Sequence, residues 1–212
     1  MESFKQYFEQ DFTKQLYDAA HNGKTLAAFI EQLDNEDKLK TLLPEIKVLQ
    51  NFKHPADHHP EGPVVWDHVI SALKSSRSTN PIANISIMLH DCGKSVTYSP
   101  TDKKGNAKHT YYGHDGAGVN MIEHLARRLN IPENDKNAMQ FAAAKHMLGH
   151  NPDRVRDTKL ASIVNNPYWS VLKDVIYADE MSRPAPIGDV NKVLKAIEYM
   201  ENSKNRIHPQ GK

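Results

Sequence analysis

The sequence predicts an all-α protein built as a helical bundle. Apolar residues recur at the helical spacing i, i+3, i+4 and i+7 along most of the 212 residues. No segment of useful length alternates apolar and polar residues, as a half-buried strand would. Prolines and glycines divide the helical pattern into short segments, and the length is sufficient for a full-sized core.

Composition sets limits on function. The 27 lysines and arginines nearly balance 26 aspartates and glutamates, which argues against a strongly basic nucleic-acid coat or an acidic tail. The single cysteine, Cys92, excludes an internal disulfide and fits a reducing compartment. With no signal-peptide pattern and no apolar run of membrane-spanning length, we expect a cytoplasmic protein without membrane contact. Metal or phosphate chemistry would account for the unusual number of histidines, 12.

The N-terminal part is predicted to be helical and structural. Its three helices are expected over residues 3–20, 25–33 and 37–43. Thr25 can cap the second helix, and Pro44 ends the third. We assign these helices no chemistry and expect residues 1–43 to pack on a core that extends from about residue 40 to about residue 183.

A proline-rich loop over residues 52–63 follows and carries His58, His59 and Glu61. An ordinary surface loop with incidental histidines would show the same pattern. The next helix, over residues 64–74, places His68 within its apolar face.

The stretch from Ile87 to Lys94 is an apolar helical turn that ends in ionisable groups. On a helix, His90, Asp91 and Lys94 would share one face and border the core. Burying Asp91 is costly unless it is paired or bound to a metal, and a His-Asp pair suits a divalent cation of intermediate hardness. A helix end with Gly93 as the stop would be the ordinary alternative.

Helices in the second half of the chain also place a histidine or an aspartate at an end or on an apolar face. After a polar loop over residues 95–110, one helix begins near His114, and the next, from Pro132, carries His146 on its apolar face. A later helix ends its apolar face in Asp179. Further helices are predicted over residues 153–164 and 190–200, and a mobile tail over residues 204–212.

Several helices thus place a histidine or an aspartate on or beside their buried faces: His68, His90, Asp91, His146 and Asp179. Helix bundles build metal sites from such inward-facing side chains. Without a compensating cation, these charges would be difficult to bury.

The order of these residues resembles the HD superfamily of metal-dependent phosphohydrolases. The match is closer to the HD domain of bacterial tRNA nucleotidyltransferases (CCA-adding enzymes) and covers roughly residues 40–183. The motifs that carry it are Leu42-Leu43-Pro44-Glu45-Ile46, His58-His59-Pro60-Glu61-Gly62, His68, Leu89-His90-Asp91-Cys92-Gly93-Lys94, Tyr112-Gly113-His114 and Ala178-Asp179. The resemblance implies a single HD-type domain over residues 1–212, with a metal site between helices.

Two departures from that family stand out. The nucleotidyltransferase domain that precedes the HD domain has no counterpart in this sequence, so we do not expect CCA addition. Cys92 replaces a bulkier aliphatic residue, a change that we interpret as core packing.

The resemblance implies hydrolysis of phosphoesters of nucleotides or RNA ends, by 2′,3′-cyclic phosphodiesterase, 2′-nucleotidase or phosphatase activity. It implies one or two divalent transition-metal ions (Ni, Mn, Co, Fe or Zn), with Mg as a further candidate. The first ion would be held by His68, His90, Asp91 and Asp179. His114 and His146 would hold a second ion, or the phosphate where one ion binds.

The resemblance also suggests roles for single residues. Asp91 would orient the attacking water, Lys94 would neutralise charge on phosphorus, and His114 would protonate the leaving oxygen. The expected substrate contacts are His58, His59, Lys108, His109 and Arg183.

Other functions remain compatible with the sequence. A deoxynucleotide triphosphohydrolase or a 5′-nucleotidase would use the same ligands, and a non-catalytic RNA-binding or interaction module would keep a structural metal. Lys94 beside the ligands favours an enzyme, and the absence of a glycine-rich phosphate cradle favours cyclic phosphates over triphosphates. The sequence does not define the oligomeric state.

Overall fold

The computed structural model describes residues 2–54, 59–184 and 188–207, and of residues 2–10 it describes the backbone alone. This part of the chain is almost entirely helical, which confirms the all-α prediction. In chain order the α-helices are α1 (Glu2–Ala19), α2 (Gly23–Asn35), α3 (Leu39–Leu42), α4 (Pro44–Lys47), α5 (Val65–Ser75), α6 (Pro81–Leu89), α7 (Lys94–Thr97), α8 (His114–Arg128), α9 (Glu133–Lys145), α10 (Asp157–Val164), α11 (Trp169–Met181), α12 (Val190–Glu201) and α13 (Ser203–Ile207). Short 3₁₀ turns cover Val48–Asn51, His146–Gly149 and Pro152–Arg154.

The bundle is organised around α6, which contacts α5, α9 and α11. From Ala83 to Leu89 every residue of α6 is buried, so this helix is covered on all sides. Helix α1 packs on α6 and α2, and Arg128 of α8 donates to both carboxylate oxygens of Glu45 at 2.8 Å. These contacts hold the N-terminal helices against the rest of the bundle.

Several helix boundaries differ from the sequence prediction. The predicted helix over residues 37–43 is shortened to α3, because Asp37 adopts a left-handed conformation with φ 56°. The segment predicted as a helix over residues 153–164 begins with a 3₁₀ turn and becomes α-helical at Asp157. At the C-terminal end, residues 204–207 form part of α13, and residues 208–212 lie outside the described residues.

The stretch from Ile87 to Lys94 is not one continuous helix. Helix α6 ends at Leu89, and a tight turn leads to α7, with the Lys94 amide donating to the Asp91 carbonyl at 3.0 Å. Gly93 is required in this turn, since a Cβ there would lie 2.1 Å from the His114 carbonyl oxygen. This close approach brings the start of α8 against Asp91. Cys92 is fully buried, as its predicted packing role requires.

The polar loop over residues 95–110 contains a small antiparallel hairpin that the sequence did not predict. Strand β1 (Ser99–Thr101) pairs with β2 (Ala107–Thr110), with Ser99 opposite Thr110. Strands of three and four residues are too short to show an alternating pattern. The turn is closed by the Asp102 carboxylate, which accepts from the Lys104 and Asn106 amides.

Within the described ranges, no helix is both long enough and apolar enough to cross a membrane.

Candidate metal centre

Asp91 lies at the centre of a group of histidines from four parts of the fold. Its Oδ2 is 3.6 Å from His68 Nε2 and 3.4 Å from His90 Nε2. Its Oδ1 is 3.4 Å from His114 Nε2 and 3.8 Å from His146 Nε2. Each oxygen of one carboxylate therefore faces a different pair of imidazoles.

Asp179, near the end of α11, closes the group on the side of His68. Its Oδ1 is 3.2 Å from His68 Nε2, and its Oδ2 is 3.2 Å from His150 Nε2. The structure thus brings together all six residues predicted as metal ligands, and none is more than 8% exposed: His68, His90, Asp91, His114, His146 and Asp179.

Three of the histidines are held in one tautomer by the backbone. The Nδ1 of His90 donates to the Ile87 carbonyl at 2.7 Å, that of His114 to the Tyr111 carbonyl at 2.9 Å, and that of His146 to the Ala143 carbonyl at 2.8 Å. A carbonyl oxygen can only accept, so Nδ1 of each ring carries a proton and Nε2 is left as the nitrogen that can bind a metal. The Nε2 lone pair is then directed towards Asp91, as a metal ligand requires.

His68 is oriented by Glu61. Its Nδ1 donates to Glu61 Oε1 at 2.8 Å, and His59 Nδ1 donates to the same oxygen at 2.8 Å. Burial opposes ionisation of Glu61, but these two hydrogen bonds lower its pKa to about 2. A carboxylate that binds the outer nitrogen of a metal-binding histidine fixes the ring and increases its basicity.

The donor set fits a cation. Burial, and then the electrostatic effect of His90, lower the pKa of His146 to about 3, so this ring is neutral. Its Nε2 lies 3.2 Å from His114 Nε2. Burial lowers the pKa of His68, but Asp179 and Glu61 outweigh that effect and raise it to about 9. His146 therefore offers a free lone pair, and the carboxylates around His68 favour positive charge on their side of the cluster.

Three groups of three residues each place their ligand atoms within 4.8 Å of one another. Two of them share Asp91, namely His68, His90 and Asp91, and Asp91, His114 and His146, and the third is His54, His59 and Glu61. Imidazole nitrogens with carboxylate oxygens suit divalent transition metals. These buried groups can hold a metal ion.

Lys94 lies beside this cluster. Its Nζ is 2.6 Å from Asp91 Oδ2 and 3.0 Å from His54 Nε2, and 5.5 Å from the centre of the Tyr111 ring. Although burial acts in the opposite direction, the Lys94 ammonium holds the pKa of Asp91 well below its usual range. Burial and Lys94 together lower the pKa of His54, which therefore accepts from Lys94 as a neutral ring.

The cluster opens into a cavity of about 440 Å³. Four of the predicted substrate contacts line it, namely His59, Lys108, His109 and Arg183. The fifth, His58, lies outside the described residues. Arg183 is held by a hydrogen bond to Glu180, and His109 by one of 2.9 Å between its Nδ1 and the Tyr98 hydroxyl.

Two further histidines at this site are not predicted by the sequence pattern. His54 supports Lys94, and His150 contacts Asp179. Both belong to the histidine-rich part of the chain, and His150 follows His146 by four residues, but neither lies on a recognisable apolar face. The role of Glu61 as the partner of His68 is not predicted either. Glu61 lies in a loop seven residues before His68, so their contact produces no helical periodicity in the sequence.

Fold and site together define an all-α protein with a buried histidine–aspartate centre able to hold metal ions. No family model matches the chain. It is similar to the multifunctional CCA proteins of Xanthomonas axonopodis pv. citri (23% identity over 87% of this chain and 42% of the relative) and Teredinibacter turnerae (30% over 58% and 29%). That of Pseudomonas syringae pv. syringae is 26% identical over 65% of this chain and 33% of the relative. The chain therefore spans well under half the length of these curated relatives.

Proposed function

We propose that this chain is an HD-type metal-dependent phosphohydrolase that acts on phosphoesters of nucleotides or RNA ends, with 2′,3′-cyclic phosphates preferred. The observation that carries the proposal is the position of Asp91. It lies between two sets of histidine ligands, forms an ion pair with Lys94, and lines an open cavity. A purely structural metal site is usually closed, and it does not need an ammonium group paired with one of its carboxylate ligands.

A bound divalent cation would polarise the phosphoryl oxygens and lower the pKa of water. The chain's own residues would supply the rest of the chemistry. Asp91 would orient the attacking water. Lys94 lines the same cavity and would stabilise the negative charge that develops on the phosphoryl oxygens.

The leaving oxygen requires a proton, and His114 is placed to give it when a single ion is bound to the first ligand set. His114 lines the cavity, and its Nδ1 is fixed to the Tyr111 carbonyl. The transferred proton would therefore be carried on Nε2, the nitrogen that faces the cluster. His59, Lys108, His109 and Arg183 line the cavity, and they would contact the substrate phosphate and ribose.

The ranking of substrates rests on chemistry. A 2′,3′-cyclic phosphate is strained and exposes two non-bridging oxygens, one for the cation and one for Lys94 or His114. A triphosphate would need several further cationic or backbone contacts, and we identify no glycine-rich cradle that would supply them. The resemblance to the HD domain of CCA-adding enzymes supports the same order.

A hydrolysis screen of the metal-loaded protein tests the proposal. It should cover 2′,3′-cyclic nucleotides, 2′- and 5′-nucleotides, dNTPs and an aryl phosphodiester. We expect a higher kcat/KM for 2′,3′-cAMP than for dATP with the same metal. A preference for dATP or for 5′-nucleotides would replace the cyclic phosphodiesterase with those activities. A metal-loaded protein without turnover of any phosphoester would instead be a non-catalytic module.

A further inference from the structure

One wall of the cavity carries exposed rings. In the described part of the chain, five large apolar side chains are exposed, and two of them, Tyr112 at 57% and Met147 at 45%, line this cavity. A third, Tyr98 at 37%, stacks on His109, which also lines it, with ring centres 5.7 Å apart and planes 25° apart. Exposed apolar side chains that are grouped at the mouth of a cavity mark a surface that a ligand can cover.

The same wall carries unpaired positive charge. Lys103, Lys104 and Lys108 are exposed in or beside the hairpin, and none of them forms an ion pair with a carboxylate among the described residues. The nearby Asp102 carboxylate interacts electrostatically with Lys108, but its hydrogen bonds go to its own turn, from the Asn106 amide and side chain. Because the whole chain has a net charge of +1, this positive patch is a local feature.

The charge and the rings lie next to each other. Lys103 Nζ is 4.6 Å from the centre of the Tyr112 ring, and Lys108 lines the cavity with Tyr112. Proteins bind single-stranded nucleic acids with this combination, in which bases stack on rings and cations contact the phosphates between them. A free mononucleotide at the metal cluster would leave Tyr98 and Lys103 uncovered, since neither of them lines the cavity itself.

We propose that this ring-and-lysine wall (Tyr98, Lys103, Lys108, His109 and Tyr112) binds the nucleotides that precede the end of a single-stranded RNA, and that the substrate is an RNA strand rather than a free nucleotide. The inference rests on the proposed phosphohydrolase function. RNA is favoured over DNA because a 2′,3′-cyclic phosphate requires the 2′ oxygen of ribose. The terminal phosphate enters the metal cluster while the preceding bases lie along the wall.

Binding can be measured without turnover. The probe is a fluorescein-labelled octaribonucleotide with a 3′-hydroxyl end, followed by anisotropy with the wild-type protein at several salt concentrations. Tyr112→Ala should weaken binding about tenfold, whereas Tyr112→Phe, which keeps the ring, should retain it. Lys103→Ala should weaken binding. It should also reduce the slope of the logarithm of the binding constant against the logarithm of the salt concentration by about 0.7, the value for one phosphate contact on a single strand.

Lys195→Ala is the matched control, since Lys195 lies on α12 and lines a different surface hollow. We expect it to bind like wild type. Equal affinity of wild type, Tyr112→Ala and Lys103→Ala for the octamer would overturn the inference.

Kinetics separate this inference from the proposed function. We expect kcat/KM to be at least tenfold higher for an octaribonucleotide ending in a 2′,3′-cyclic phosphate than for 2′,3′-cAMP, and Tyr112→Ala, but not Tyr112→Phe, to reduce that ratio. Equal kcat/KM values for the octamer and the mononucleotide would refute the proposal of an RNA-strand substrate, while the proposed phosphohydrolase function would stand. Binding of the octamer without turnover of any phosphoester would refute the phosphohydrolase and leave the wall as an RNA-binding surface.

Discussion

Lys94 Nζ lies 2.6 Å from Asp91 Oδ2, the same carboxylate oxygen that faces His68 and His90. The ammonium therefore compensates the negative charge of the buried carboxylate, and both groups line the cavity. A charge in this position can stabilise a developing phosphoryl charge without occupying a ligand position.

The first prediction concerns Lys94. Lys94→Ala should retain bound metal but lose about 10²- to 10³-fold in kcat, since its proposed role is electrostatic. Turnover and metal content should be measured on the same preparations, with Lys195→Ala as a control that leaves both unchanged. Turnover equal to wild type would exclude the role, and a collapse of thermal stability would point to a purely structural Lys94–Asp91 pair.

The second prediction concerns the sharing of Asp91. Asp91→Ala should remove ions from both ligand sets and abolish turnover, while circular dichroism shows unchanged helicity. His146→Ala should affect the second set alone, because His146 belongs to that set and its Nε2 lies 3.8 Å from Oδ1 of Asp91. Elemental analysis of metal per chain distinguishes the two variants.

Asp153→Ala, an exposed aspartate on a 3₁₀ turn, is the matched control for that experiment. Identical metal content in wild type and Asp91→Ala would show that Asp91 is not a ligand.

The third prediction concerns Glu61, which orients His68 through a 2.8 Å hydrogen bond. Glu61→Gln keeps the size of the side chain but removes the charge that favours the His68 Nδ1 proton. Loss of such an outer partner usually costs about 10- to 100-fold in metal affinity. Calorimetric titration of the metal-free protein with Zn²⁺ or Mn²⁺ measures this directly.

Glu31→Gln changes a partly exposed glutamate on α2, which pairs with Lys74, and should leave the metal affinity as in wild type. If Glu61→Gln binds metal as tightly as wild type, Glu61 does not support the ligand.

The sequence was informative wherever a functional residue lay on a long apolar face. His68 and Asp179 were found in this way, because a polar group in a 3.6-residue apolar pattern is visible without a structure. His54 and His150 lie outside regular α-helix, and their roles arise from contacts with Lys94 and Asp179 that no local pattern encodes.

The hairpin shows the same limit for the fold. Its two strands are held by a turn that Asp102 closes and by a few backbone pairs, without an apolar face. Composition alone therefore predicts a loop, although this segment forms a wall of the cavity. Similarly, the end of α6 at Leu89 depends on the packing of Gly93 against His114, a contact between distant parts of the chain.

The last prediction concerns the N-terminal helices. Leu16 of α1 is fully buried in the main apolar cluster, together with residues of α6 and α9. Leu16→Ala should lower the free energy of unfolding by about 2–5 kcal/mol, the usual cost of the lost burial and the cavity that remains. Urea unfolding of the metal-free protein, followed by circular dichroism, measures this change.

Leu194→Ala is the matched control, because Leu194 is 50% exposed on α12 and should change stability by less than about 0.5 kcal/mol. If residues 1–43 pack as part of one folding unit, Leu16→Ala shifts the midpoint of a single transition. A separate early transition in this variant, with the remaining helices unfolding at the wild-type midpoint, would show that the N-terminal helices are an independent unit and contribute nothing to the stability of the metal centre.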